Sequence, residues 1–141
     1  MEKLGISACL LGVNCKYDGK NNLNLELIRQ FQGKELILIC PEVMGGLSTP
    51  RIPSEIQQDG MVMNANHEDV TSAFNLGKVK ALEKLQNHGC NQVVLKDGSP
   101  SCGFRFIYDG SFSGTKIKGE GITTQYLRQH NIKIIEFKEA N

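Results

Sequence analysis

The feature that most constrains this chain is a short apolar run leading into a cysteine, repeated three times. Leu4-Gly5-Ile6-Ser7-Ala8 runs into Cys9, and Leu36-Ile37-Leu38-Ile39 runs into Cys40. Asn91-Gln92-Val93-Val94-Leu95-Lys96 is followed by the small-residue loop Ser99-Pro100-Ser101-Cys102-Gly103. Apolar runs of this length, bounded by Gly, Pro and Asn, read as buried strands. Open α/β sheets carry their chemistry outside the carboxyl ends of the strands. Three strands that each lead to a cysteine therefore bring three thiols to one edge of one sheet.

The segments between them supply the helices. Leu23, Leu25, Leu27, Ile28 and Phe31 mark a short helix, with Gly33 as its expected C-cap. The spacing of Val70, Phe74, Gly77, Ala81, Leu82 and Leu85 predicts a helix over 67–88, with Asn66 as N-cap and Gly89 as C-cap. A further helix is expected over 122–130 and a last strand over 132–137. Ile56 to Met63 reads as a hairpin around Asp59-Gly60. Residues 42–53, with two glycines and two prolines, read as a shaped loop, and 97–121 as the longest irregular region. This order predicts an α/β fold: a mostly parallel sheet with flanking helices and right-handed crossovers, a Rossmann-like three-layer arrangement with a small hairpin excursion. A chain of 141 residues with 40% hydrophobic content is expected to form one domain over 1–141.

Sixteen basic residues against fifteen acidic ones leave a net charge of +1, which removes the electrostatic reason to expect nucleic acid or an anionic membrane as partner. A small molecule is expected instead. No apolar stretch approaches the roughly 20 residues that span a bilayer, and the first residues lack the pattern of a signal peptide. A cytoplasmic location is expected. Five cysteines, an odd number, then argue against a disulfide framework and towards metal or catalytic roles.

Three thiolates with no obvious fourth ligand suit an iron–sulfur cube that keeps one iron open, whereas structural clusters and structural zinc take four protein ligands. The absence of a Cys-x-x-Cys pair weakens a zinc-knuckle or thioredoxin-like reading. Ordinary buried cysteines remain the alternative at this point, since free Cys is among the most buried residue types. Cys90 precedes its strand and falls at the opposite sheet edge, as a structural residue would.

Longer motifs narrow the choice. Ser7-Ala8-Cys9-Leu10-Leu11-Gly12 with Cys15-Lys16-Tyr17-Asp18-Gly19, then Cys40-Pro41-Glu42-Val43-Met44-Gly45-Gly46-Leu47 with Pro50-Arg51-Ile52-Pro53-Ser54-Glu55, and finally Ser99-Pro100-Ser101-Cys102-Gly103 with Ile107-Tyr108-Asp109-Gly110 follow one another along the chain. In this order they resemble the thiouracil desulfidase (TudS-type) family, in its short single-domain form. The resemblance implies a 4Fe-4S cluster held by Cys9, Cys40 and Cys102 with its fourth iron open. It also implies a non-redox hydrolysis that turns a thiolated uracil, free base or nucleoside, into uracil and hydrogen sulfide.

Such a reaction needs a base for water and a proton source. Glu42, two residues after Cys40, is the expected base, and a surface loop acid is its plainer reading. Ser101, beside Cys102, is the expected substrate or proton-relay hydroxyl, with backbone capping as the plainer reading. Cys15 is the rival ligand, and a closed four-cysteine site would make the cluster structural or electron-transferring. The corresponding alternative function is a non-catalytic iron–sulfur or zinc carrier or sensor. Arg51 is expected either to fix an acid such as Glu55 or to contact substrate. Asp18 and Asp109 read as turn residues, and His67, His88 and His130 lie outside the cysteine loops. Phe104, Phe106, Tyr108 and Phe112 either stack on a pyrimidine or pack their loop. No Gly-x-Gly-x-x-Gly follows a strand and no Gly-Lys-Ser/Thr occurs, which speaks against nucleoside triphosphate binding.

Overall fold

The computed structural model describes residues 2–137. Its centre is a four-stranded, wholly parallel sheet made of β1 (Lys3–Ser7), β2 (Glu35–Ile39), β5 (Gln92–Val94) and β8 (Lys133–Ile134), in the order β2-β1-β5-β8. Register runs from Lys3 opposite Glu35 to Ser7 opposite Ile39. Leu4, Ile6, Ile39, Val93 and Val94 are almost fully buried, as expected for strands covered on both faces.

The connections leave β1 in one direction for β2, then return past β1 to β5 and on to β8. With right-handed crossovers this puts α1 (Leu25–Gln30) on one face, and α3 (Thr71–Asn87) with α4 (Ile122–Gln129) on the other. α3 and α4 do pack against each other. The strand order thus reverses at β1, and the loops after β2, β1 and β5 open side by side at one edge.

α3 also packs on a one-turn helix, α2 (Pro41–Met44), backbone to backbone. A Cβ on Gly77 would fall on the Pro41 carbonyl, and one on Gly45 would fall on the Ala73 carbonyl. Only glycine permits this approach, and it holds the segment after β2 firmly against the long helix.

Several boundaries differ from the sequence reading. α3 begins four residues later than expected and Asn66 does not cap it, because Asn64 draws this stretch into the hairpin. The Asn64 Oδ1 accepts the Asn66 and Glu68 N–H groups, and the Val70 N–H bonds the Val62 carbonyl. That hairpin pairs β3 (Ser54–Ile56) with β4 (Val62–Asn64) across the Asp59-Gly60 turn, as expected. α1 closes at Phe31, with Gly33 in the turn beyond it. The region 97–121 is not wholly irregular: β6 (Phe106–Tyr108) pairs antiparallel with β7 (Lys116–Lys118). Strands of three residues are too short to show a period, and only their mutual pairing reveals them. Residues 42–53 likewise begin inside α2. Among the described residues no helix is long and apolar enough to cross a membrane.

Candidate metal centre

Three loops build the site, and each is shaped before its cysteine is placed. After β1 the chain turns through a 3₁₀ helix, Ala8–Leu11, closed by Gly12 at φ +91°. The long loop 12–22 folds back on this turn, with Asn22 N–H bonding the Cys9 carbonyl at 2.9 Å. The Asn22 amide also donates to the Cys9 sulfur at 3.4 Å. Cys9 therefore sits in a turn rather than at a strand end. After β2, Cys40 is the N-cap of α2, with Pro41 in the first helical position, where a missing N–H costs nothing.

After β5, Asp97 is the organiser. Its Oδ1 accepts the N–H groups of Gly98 and Phe104 at 2.9 Å each and of Arg105 at 3.1 Å. Ser99 Oγ accepts the N–H groups of Ser101 and Cys102 at 3.1 and 2.7 Å. The Pro100 and Ser101 carbonyls in turn take the first free N–H groups of α4. A Cβ on Gly121 would collide with Ser101, so the loop and the helix start are in direct contact. Asp97 and Ser99 are roles that sequence reasoning missed. The signal was present, since an Asp-Gly-Ser sequence directly after a buried strand is turn chemistry with acceptors to offer.

The three loops enclose a cavity of about 660 Å³ lined by Cys9, Cys15, Cys40 and Cys102, together with Glu42 and Arg51. Cys15 borders the cavity with Cys9 and Cys40, and its backbone carbonyl accepts from the Cys40 thiol at 3.8 Å. This position separates the thiols electrically. Cys15 hydrogen bonds draw Cys9 and Cys40 down to about 7, helped at Cys9 by the Asn22 amide and at Cys40 by the Val43 N–H. Cys15 itself, donating to both, is pushed far up. Burial pushes Cys102 up, with the Glu42 charge adding to it.

The remaining expected residues divide. Glu42 lines the cavity, and its Oε2 accepts from Arg51 Nη2 at 2.9 Å. Arg51 is thus partnered by Glu42 and not by Glu55, whose Oε1 instead accepts the N–H groups of Gly110 and Phe112 and ties the 109–114 loop to the hairpin. Ser101 is buried and does not line the cavity; its hydroxyl is 2.8 Å from Thr123 Oγ1. Phe106, Tyr108 and Phe112 line the cavity, whereas Phe104 packs on Phe137 in the core, ring centroids 6.0 Å apart. Asp18 and Asp109 bond N–H groups two residues on, as turn residues do. His88 and His130 end α3 and α4. Cys90 is buried in the main hydrophobic core.

The donor set suits a cluster better than a single ion. Among the described residues no three His, Cys, Asp or Glu side chains converge closely enough to hold one metal ion. A cube takes one thiolate per iron, so its ligands stand apart around a cavity, and three separate loops at one sheet edge present cysteines in that way.

Fold and site together define an α/β protein whose sheet edge carries a cavity lined by four thiols and the carboxylates of Glu42, Glu55 and Asp97. The chain belongs to the 2-thiouracil desulfurase family, whose sequence pattern it matches over residues 4–139. It is 37% identical over 145 residues to a protein of Bacillus subtilis (strain 168), YbbK, described as uncharacterized, with 96% of each chain covered. It is also similar to a solved structure, the [4Fe-4S]-dependent thiouracil desulfidase TudS, at 41% identity and a TM-score of 0.88, covering 95% of this chain and 89% of that one.

Proposed function

We propose that this protein is a thiouracil desulfidase that works with a 4Fe-4S cluster, replacing the sulfur of a thiolated uracil by oxygen. Cys9, Cys40 and Cys102 would hold the cluster. The observation that carries this reading is the convergence of those three residues, from the loops after three neighbouring parallel strands, on one cavity that also holds Glu42. Family membership and the similarity to TudS support it. Bound there with one iron free of protein ligands, the cluster would supply a Lewis-acid position for the thiocarbonyl sulfur.

The chain's own residues supply the rest. Phe106, Tyr108 and Phe112 give the cavity flat apolar surface for a pyrimidine ring. Glu42 accepts a proton from water as the water oxygen forms its bond to the thiocarbonyl carbon. The carbon–sulfur bond then breaks, and sulfide leaves with two protons as hydrogen sulfide. Water supplies the oxygen and both protons, and no electrons are exchanged. The Asn22 amide donates to the Cys9 sulfur, and the nearby Cys15 thiol lowers both Cys9 and Cys40, which favours the thiolate state a metal ligand needs. Ser101, bonded to Thr123, holds the Cys102 loop on the start of α4, which makes it a positioning residue.

The test is anaerobic reconstitution with iron and sulfide, followed by incubation with 2-thiouracil and 4-thiouracil. Equal amounts of uracil and sulfide, formed without an added reductant, are the expected result. A protein that binds the cluster but releases neither would be a carrier or sensor.

A further inference from the structure

Arg51 is bound more completely than a surface arginine would be. Its side chain is only 7% exposed, and the Glu42 side chain beside it 18%. Nη2 donates to Glu42 Oε2 and to the Cys15 carbonyl, each at 2.9 Å. Nη1 donates to the Ser48 carbonyl at 3.2 Å and to Thr49 Oγ1 at 3.1 Å. The Arg51 N–H donates to the Tyr17 carbonyl at 2.7 Å. The planar fork is thereby anchored at both ends before it reaches the carboxylate, and a guanidinium fixed in this way dictates where its partner points. Glu42 Oε1, in contrast, accepts no hydrogen bond among the described residues and is not sealed from solvent.

We propose that Arg51 is a positioning residue for the reaction: it holds Oε2 of Glu42 so that Oε1 is the oxygen presented to the cavity, where it takes the proton of the attacking water. This rests on the reading of Glu42 as the base. In that step an O–H bond of water breaks, the proton goes to Oε1, and the freed electron pair forms the carbon–oxygen bond. Arg51 neither gains nor loses a proton. Lysine carries the charge but lacks the fork, so it cannot hold Glu42, the Cys15 carbonyl and the Ser48-Thr49 segment at once.

A double-mutant cycle on cluster-loaded protein tests this, with iron content, kcat and KM read for Arg51→Lys, Glu42→Gln and the double variant. Arg51→Lys should keep its iron and lose roughly 100-fold in kcat, the cost of a misplaced catalytic group, with KM little changed. The double variant should be no slower than Glu42→Gln alone. Guanidinium ion should restore part of the turnover of Arg51→Ala and none in the Glu42→Gln background. Additive losses in the double variant would overturn the proposal, as would loss of iron that accounts for the lost rate. Should Arg51→Lys not fold, Thr49→Val removes one anchor of the fork without touching Glu42 or a cysteine. It must slow the wild type and leave Glu42→Gln unchanged, and equal slowing of both would overturn the proposal. Full activity in Glu42→Gln would remove the base itself, and with it this role for Arg51. Impaired Glu42→Gln with additive Arg51→Lys would remove only the positioning role.

Discussion

Strand β5 has a cysteine near each end, and the two have opposite fates. Cys90, before the strand, lies in the apolar core, its N–H on the Leu85 carbonyl and its thiol raised by burial. Cys102, after the strand, is buried as well, yet it sits in a loop wired by Asp97 and Ser99 and borders a cavity with three other cysteines. Burial therefore does not separate the two thiols; bordering the cavity does. Among the described residues, the loops that converge on the cavity and the Asn22 amide that donates to the Cys9 sulfur lie at the carboxyl ends of the strands, the edge where open α/β sheets carry their chemistry.

The largest expected difference between the two edges is in iron. Cys9→Ala, Cys40→Ala and Cys102→Ala should each fall to background iron after reconstitution, while Cys90→Ala keeps its full complement and loses only about 1 kcal/mol of stability to the missing core volume. Iron analysis and urea unfolding of the same four proteins check this. Retention of iron in any of the first three would break the contrast.

Next in size is Glu42→Gln, which should leave iron unchanged and reduce turnover by about 100-fold or more, the usual range for a general base. Sulfide release under single-turnover conditions measures it.

Smaller effects should follow from the packing beneath each edge. Gly77→Ala drives a methyl into the Pro41 carbonyl, backbone that cannot yield cheaply, and should cost about 1–3 kcal/mol. Because Cys40 is the N-cap of α2 and α2 carries Glu42, the same change should weaken cluster retention. Gly5→Ala meets chiefly the Leu85 side chain, so it should lower the unfolding midpoint and leave cluster retention intact.

The smallest effect separates the thiols by acidity in cluster-free protein. Cys9 and Cys40 are lowered to about 7, so their thiolate fraction grows as pH rises through that value, below the roughly 8.5 of a free thiol. Alkylation followed by peptide mapping should label these two near neutral pH, with Cys102 and Cys90 unreactive there because burial raises both. Uniform labelling of all five cysteines would contradict the arrangement.

What could be read in advance follows from the range of the interactions. The parallel sheet and its thiol edge were legible because each strand is a local apolar run with its cysteine beside it. The Asp59-Gly60 hairpin was legible for the same reason. That Arg51 fixes an acid was one of the two readings, but which acid was not legible, because sequence offers Glu55 four residues away, while the partner Glu42 is nine residues back, across a loop whose path no local pattern encodes. Asn66 does not take its expected capping role, because Asn64 Oδ1 accepts the Asn66 and Glu68 N–H groups and holds this stretch in the turn after β4, so that α3 starts only at Thr71. Ser101 stands beside Cys102 in sequence yet its hydroxyl meets Thr123, because the loop carrying it is laid on the start of α4. The β6–β7 pair depends on register between residues eight to twelve apart, and neither strand alone signals it.

The central claim is that Cys9, Cys40 and Cys102 bind the cluster while Cys15, which borders the same cavity, does not become a ligand. The most direct measurement is the iron and sulfide count, with absorption spectrum, of anaerobically reconstituted Cys15→Ala beside the wild type and the three ligand variants. Four irons in Cys15→Ala, with none in the other three variants, is the predicted result. Loss of the cluster in Cys15→Ala would make Cys15 the fourth ligand, close the site, and contradict a mechanism that needs an open iron.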